Sequence, residues 1–123
     1  MPDMDSALKD AMQIDGAIAV ALVDYSSGMA LGTLGGGHDL DIAVAAAGNT
    51  EVVRAKIRTL EMLKLSDPIE DILITLASQY HVIRPLTSRT GQGLFLYLAL
   101  ARSRANLAMA RHRLRGIEQD LLV

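Results

Sequence analysis

Residues 17–37 read AIAVALVDYSSGMALGTLGGG, and the fold turns on what this stretch becomes. Up to Val23, alanine alternates with larger aliphatic residues. An extended chain therefore sets Ile18, Val20 and Leu22 on one face and Ala17, Ala19 and Ala21 on the other. Neither face is polar, which predicts a strand covered on both sides, and the alanine face leaves room for a helix to approach closely. Asp24-Tyr25-Ser26-Ser27-Gly28 supplies turn chemistry, and Met29 to Leu34 continues as a second strand, so the pair reads as a hairpin.

Upstream, residues 3–13 predict a short helix, with Asp3 or Asp5 as its cap and Met4, Leu8 and Met12 recurring on one side; Asp15-Gly16 ends it. Downstream of Gly35-Gly36-Gly37, Asp39 is placed to cap a long helix running to about Leu63. At about 100° per residue this helix has three faces. Ile42, Ala46, Val53, Ile57 and Leu60 form an apolar arc, and Thr50, Glu51, Arg54, Arg58 and Glu61 a polar one. The remaining strip carries Val44, Gly48, Ala55, Thr59 and Met62, mostly small residues that admit a second helix rather than fill a core. Self-association is the economical reading of such a strip.

Ser66-Asp67-Pro68 closes the segment, because proline lacks an amide and restricts the residue before it. Three further strands are expected at Ile69–Leu76, Tyr80–Leu86 and Leu94–Leu100, with Pro85 ending or loosening the second. LFLYLAL, at residues 94–100, has no polar group except the Tyr97 hydroxyl, which predicts a central strand. From about Ala101 the chain returns to helix, with Leu107, Ala110, Leu114, Ile117 and Leu121 as its stripe. The order is α-β-β-α-β-β-β-α. It defines an α+β domain whose helices cover the faces of a five-stranded, mostly antiparallel sheet.

Composition bounds the function. The chain has 123 residues, half of them hydrophobic, with mean hydropathy +0.27, which fits one domain spanning 1–123. It has no cysteine, which excludes disulfides, thiolate metal sites and a cysteine nucleophile. The start, MPDMDSALKDAMQ, lacks the marks of a signal peptide, and no stretch reads as a membrane span, so a cytoplasmic protein is expected. Net charge is -2, but it runs from -6 over residues 1–50 to +3 over residues 101–123. Arg102, Arg104, Arg111, Arg113 and Arg115 lack the aromatic partners of a nucleic-acid surface and read as a solvated helix face. No nucleic-acid partner is expected.

No catalytic motif emerges. In Gly32-Thr33-Leu34-Gly35-Gly36-Gly37 the last glycine is followed by His38-Asp39, where a phosphate-binding loop needs Lys and then Ser or Thr. Thr33-Leu34 also breaks the dinucleotide fingerprint. His38, His81 and His112 do not share the spacing of a helical metal site, and His81 reads as a partly buried strand histidine satisfied by a neighbour. Asp39 and Asp41 read as helix caps, and Glu70 and Asp71 as charges blunting an exposed strand start. No catalytic, cofactor or metal site is assigned, and the expectation is a protein that is not an enzyme.

The element order, together with DGAIAVALVDYSSGMALGTLG at residues 15–35 and AAAGNTEVVRAK at residues 45–56, resembles the roadblock/dynein light-chain family in its bacterial branch. The resemblance covers nearly the whole chain. It implies a profilin-like α/β sandwich that forms a homodimer through the second helix and the strand after it. Carried over by position, it implies an interface of Gly48, Val52, Ala55, Thr59, Met62, Ile72 and Ile74. It further implies a regulator or scaffold for a Ras-like small GTPase in a signalling or polarity system, acting without a catalytic residue. The alternative is a small-ligand sensor on the same scaffold. Tyr25, Tyr80, His81 and Tyr97 would line its pocket, or would equally serve as core and edge residues.

Overall fold

Asp3 begins the regular structure. In the computed structural model, which describes residues 3–38, 40–88 and 90–121, its carboxylate accepts the Ser6 amide at 3.0 Å and α1 follows (Met4–Met12). The hairpin is β1 (Ala17–Asp24) and β2 (Met29–Gly35), closed by Asp24, whose carboxylate accepts both the amide and the hydroxyl of Ser26. Then comes α2 (Ile42–Met62). Asp39, the expected cap, lies outside the described residues; Asp41 caps the helix, accepting the Ala43 and Val44 amides at 3.0 and 3.3 Å. The chain continues as β3 (Ile72–Thr75), β4 (Gln79–Pro85), β5 (Leu94–Ala101) and α3 (Leu107–Asp120). The last helix starts later than the composition suggested, because a turn follows Ala101 and Asn106 is the residue that accepts a first-turn amide, that of Met109.

The strands lie in the order β2-β1-β5-β4-β3, and every neighbouring pair is antiparallel. β5 is central, as its apolar run predicted, and Phe95 to Leu100 are fully buried. One face of the sheet carries Val20, Leu22, Val82, Leu96, Leu98 and Leu100 beneath α1 and α3. The other carries Ala19, Ala21, Val23, Ile83, Phe95, Tyr97 and Ala99 beneath α2. The alanine face of β1 is thus the one that α2 covers. Each large aliphatic side chain buried in these layers contributes about 1.5–3 kcal/mol.

Two local expectations change. Ile18 does not share a face with Val20 and Leu22. The β1–β5 register slips between Ala17 and Ala19, and this bulge sends Ile18 to the α2 side and Ala17 to the other. Thr50, placed by its angle on the polar arc of α2, is 2% exposed. Its hydroxyl donates to the Ala46 carbonyl at 2.7 Å, and the hairpin turn at Gly28 lies against it, so a short polar side chain is buried with its donor satisfied.

Candidate interaction surface

The small-residue strip of α2 points away from its own sheet. Sheet contact is made by Ile42, Ala46, Thr50 and Val53, whereas Gly48, Val52, Ala55 and Met62 are exposed and Thr59 is half-buried. Val44 and Met62 are 67% and 72% exposed, and a Cβ added at Gly48 would meet no atom within 4 Å. Thr59 donates its hydroxyl to the Ala55 carbonyl at 2.8 Å, so it demands nothing polar from an apolar neighbour. The helix ends in Met62 and Leu63, and Leu65 follows, all exposed.

Beside α2 in sequence lies a sheet edge. Among the described residues β3 pairs only with β4, in the register Ile72↔Ile83 to Thr75↔Tyr80, and it covers four residues rather than Ile69–Leu76. Extending that register would set Glu70 opposite Pro85, which has no amide to donate; at the other end the Leu76 amide closes a turn onto the Gln79 carbonyl at 2.8 Å. Ile72 and Ile74 lie on the α2 side and are half-buried in that cluster, so their side chains serve this chain's own core. What the edge offers outward is backbone, flanked by Leu73 and Leu76, 38% and 41% exposed. Sequence reasoning passed over Leu63, Leu65, Leu73 and Leu76; Leu63, Leu65 and Leu76 stand at or beyond the ends of periodic runs, and Leu73 lies within β3 on the face away from α2.

Of the four groups considered for a sensor pocket, Tyr97 and His81 meet, whereas Tyr25 and Tyr80 lie elsewhere. The Tyr97 hydroxyl donates to His81 Nδ1 at 3.3 Å, and His81 Nε2 donates to Gln79 Oε1 at 2.8 Å, with the two rings edge to face at 5.4 Å. This satisfies His81 through neighbours, as expected of a strand histidine. Burial pushes the Tyr97 hydroxyl up to about 12 and holds His81 below its ordinary value. Tyr80 lies under the Arg102 guanidinium, 5.1 Å from its ring centre. Tyr25 stacks near Phe95 and borders an open groove of about 500 Å³ between Ile57 and Leu60 of α2 and the segments around Ile69 and Pro85. Among the described residues, no group of three or more His, Asp or Glu side chains is placed to hold a metal ion.

The arginines of the last helix are more engaged than a solvated face requires. Arg111 donates from Nε and Nη2 to both oxygens of Asp71 at 2.8 and 3.2 Å, and Arg115 donates to Glu70 at 2.9 Å. Glu70 and Asp71, expected only to blunt a strand start, therefore tie the approach to β3 onto α3. Arg102 donates to the Leu76 carbonyl at 2.8 Å.

A sheet of this order, with one helix on one face and two on the other, defines a class: the chain has the roadblock/LC7 fold. It is similar to the roadblock/LC7 domain of Streptomyces avermitilis, with a TM-score of 0.78 at 13% identity over 96% of this chain and 93% of that one. It is also similar to Myxococcus xanthus MglB, with a TM-score of 0.73 at 18% identity over 92% and 77% of the two chains. The gliding protein MglB of Thermus thermophilus gives a TM-score of 0.66 at 14% identity over 93% and 87%. At these identities the likeness is one of fold. No family model matches the sequence, and a search of curated proteins finds no match. No described helix is long and apolar enough to cross a membrane.

Proposed function

We propose that the chain is a non-enzymatic, homodimeric regulator or scaffold for a Ras-like small GTPase. The observation that carries this reading is the strip Gly48, Val52, Ala55, Thr59 and Met62, turned away from the sheet on the helix that precedes an open β3 edge. Small residues allow two copies of α2 to approach closely, and pairing of β3 with its copy would satisfy the edge amides and join two sheets. The similarity in fold to Myxococcus xanthus MglB and to the gliding protein MglB of Thermus thermophilus supports the same reading. Glu51, Arg54, Arg58 and Glu61 run alongside the strip, and in such a dimer they would flank the helix pair as its charged rim. A rim of mixed charge suits a protein partner, steering its approach more than adding affinity. A regulator of this kind acts by holding or reshaping the switch loops of the GTPase, which needs no catalytic group of its own.

The test has two arms. Ala55→Arg places a bulky charge in the helix contact while leaving the sheet-facing side of α2 untouched, so the variant should stay folded and sediment as a monomer. Affinity capture from the native host with GDP or a non-hydrolysable GTP analogue should enrich a Ras-like GTPase in one nucleotide state. A folded variant that sediments like the parent refutes the dimer face. Absence of any GTPase under both nucleotides refutes the regulator reading.

A further inference from the structure

Arg84 is buried where β4 passes beneath α3, its side chain only 6% exposed. Nε donates to Glu118 Oε1 at 3.1 Å, and the other Glu118 oxygen accepts from the Thr87 hydroxyl at 2.9 Å and the Thr87 amide at 3.4 Å. The terminal Nη groups of Arg84 have no acceptor among the described residues. Nor is any fully buried side-chain nitrogen there without a partner, so these groups reach solvent through the cleft that Arg84 lines. That cleft has a volume of about 230 Å³, and its other walls are Asp71, Ala108, Arg111, His112 and Arg115.

We propose that this cleft binds the phosphoryl group of a small anion. The Nη edge of Arg84 would form its floor, with Arg111, His112 and Arg115 around it. A guanidinium offers five donors in a planar fork that matches phosphate oxygens, and Arg84 spends one of them on Glu118. Stability alone does not account for a buried arginine with its outer edge unused, because an apolar pair of similar volume would hold β4 to α3 about as well. Around the cleft the charge is lopsided. Asp71 is the one carboxylate in the lining, and Arg111 grips it through both oxygens. Arg115 is held by Glu70, which lies outside the lining and whose side chain is 70% exposed, a weak pair that a dianion in the cleft would displace. The cleft lies on the opposite face of the sheet from α2, so the proposal stands or falls independently of the dimer.

The experiment is an amide and arginine-Nε NMR titration of the full chain with inorganic phosphate, with ionic strength held constant by sodium chloride, and with glycerol 3-phosphate and acetate as further probes. Saturable shifts at residues 84, 87, 111–115 and 118 are expected with phosphate, and not with acetate or chloride. Tighter binding of glycerol 3-phosphate would mark an ester as the natural occupant, and equal binding would mark free phosphate; either supports the site. Arg84→Lys keeps a cation for Glu118 but has no second edge, and Arg115→Gln removes a wall. Each should weaken binding about tenfold, the scale of a charged hydrogen bond, while Lys56→Gln on the exposed side of α2 should not change it. Unsaturable shifts, an equal response to acetate, or Arg115→Gln titrating like the parent would overturn the proposal, and the last holds even if Arg84→Lys fails to fold.

Discussion

Replacing Glu118 by alanine is expected to be among the most damaging single changes in the chain, and its size follows from the burial of the pair. The Glu118 side chain is 2% exposed and that of Arg84 6%, and the pair joins residues 34 apart across the β4–α3 contact. Without the carboxylate, the Arg84 Nε and the Thr87 hydroxyl lose their acceptor together, and the cation stays buried. Breaking a buried pair in this way costs about 3–5 kcal/mol, against a total stability of roughly 5–15 kcal/mol for a domain of this kind. With a urea slope of about 1–3 kcal/mol per molar, the midpoint should fall by roughly 2 M. The chain has no tryptophan, so far-UV circular dichroism at one fixed protein concentration is the suitable probe. Arg84→Met alone should cost a similar amount by stranding the carboxylate. The double variant Arg84→Met/Glu118→Leu, with both charges gone, should return to within about 1 kcal/mol of the parent. The reasoning fails if Glu118→Ala lies within about 1 kcal/mol of the parent, or if the double variant loses the sum of the single losses.

Gly35 holds a φ of +76°, and a Cβ there would run into the Ile18 carbonyl oxygen and lie 2.9 Å from the Met12 methyl. Gly35→Ala should cost about 1–2 kcal/mol for the backbone alone and more for the clash. Gly48→Ala, on the open side of α2, should instead gain up to about 1 kcal/mol of helix propensity in the Ala55→Arg monomer; thermal unfolding of both variants checks the contrast. Stability should also depend on pH at both ends of the range. His81 is held below 6.5 in the folded state, so the unfolded chain binds the extra proton and stability falls as pH drops below about 6.5. Tyr97 is raised from 10.0 to about 12, so the unfolded chain ionises first and stability falls between these values. Urea midpoints followed from about pH 5 to about pH 12 should show a plateau between the two limbs, and Tyr97→Phe should flatten the alkaline one; an unchanged alkaline limb in that variant would refute the assignment.

Much of the fold is legible in the chain because its signals are local. Alternation in β1, the unbroken apolar run of β5 and the glycine and proline breaks gave every element in order, and the alanine face of β1 is the one that α2 covers. The departures arise where a distant neighbour decides. The length of β3 depends on Pro85 in the partner strand, the face of Ile18 on a slip against β5, and the burial of Thr50 on the turn at Gly28. The surface strip of α2 was readable because helical periodicity exposes it. The Arg84–Glu118 pair was not, since nothing in the sequence around either residue announces a partner 34 positions away. Nor does a run of arginines announce that Arg111 and Arg115 belong to Asp71 and Glu70.

The burial of α2 along its length bears on the dimer proposed above. Its buried residues, Ile42, Ala46, Thr50 and Val53, all fall in the first half of the helix or just past it, over the alanines of β1. Beyond Ile57, which packs half-buried on the same cluster, no residue of the helix is fully buried, and Met62, Leu63 and Leu65 are exposed. Residues that run on helically after their core contacts end gain little from propensity alone, because helices in proteins are held chiefly by packing. Here the uncovered end is apolar, and it leads into a short edge strand that likewise lacks a partner on one side. Solvent exposure is a cost for both. In the dimer proposed above, a second copy packed α2 against α2 with β3 paired to β3 would cover both at once.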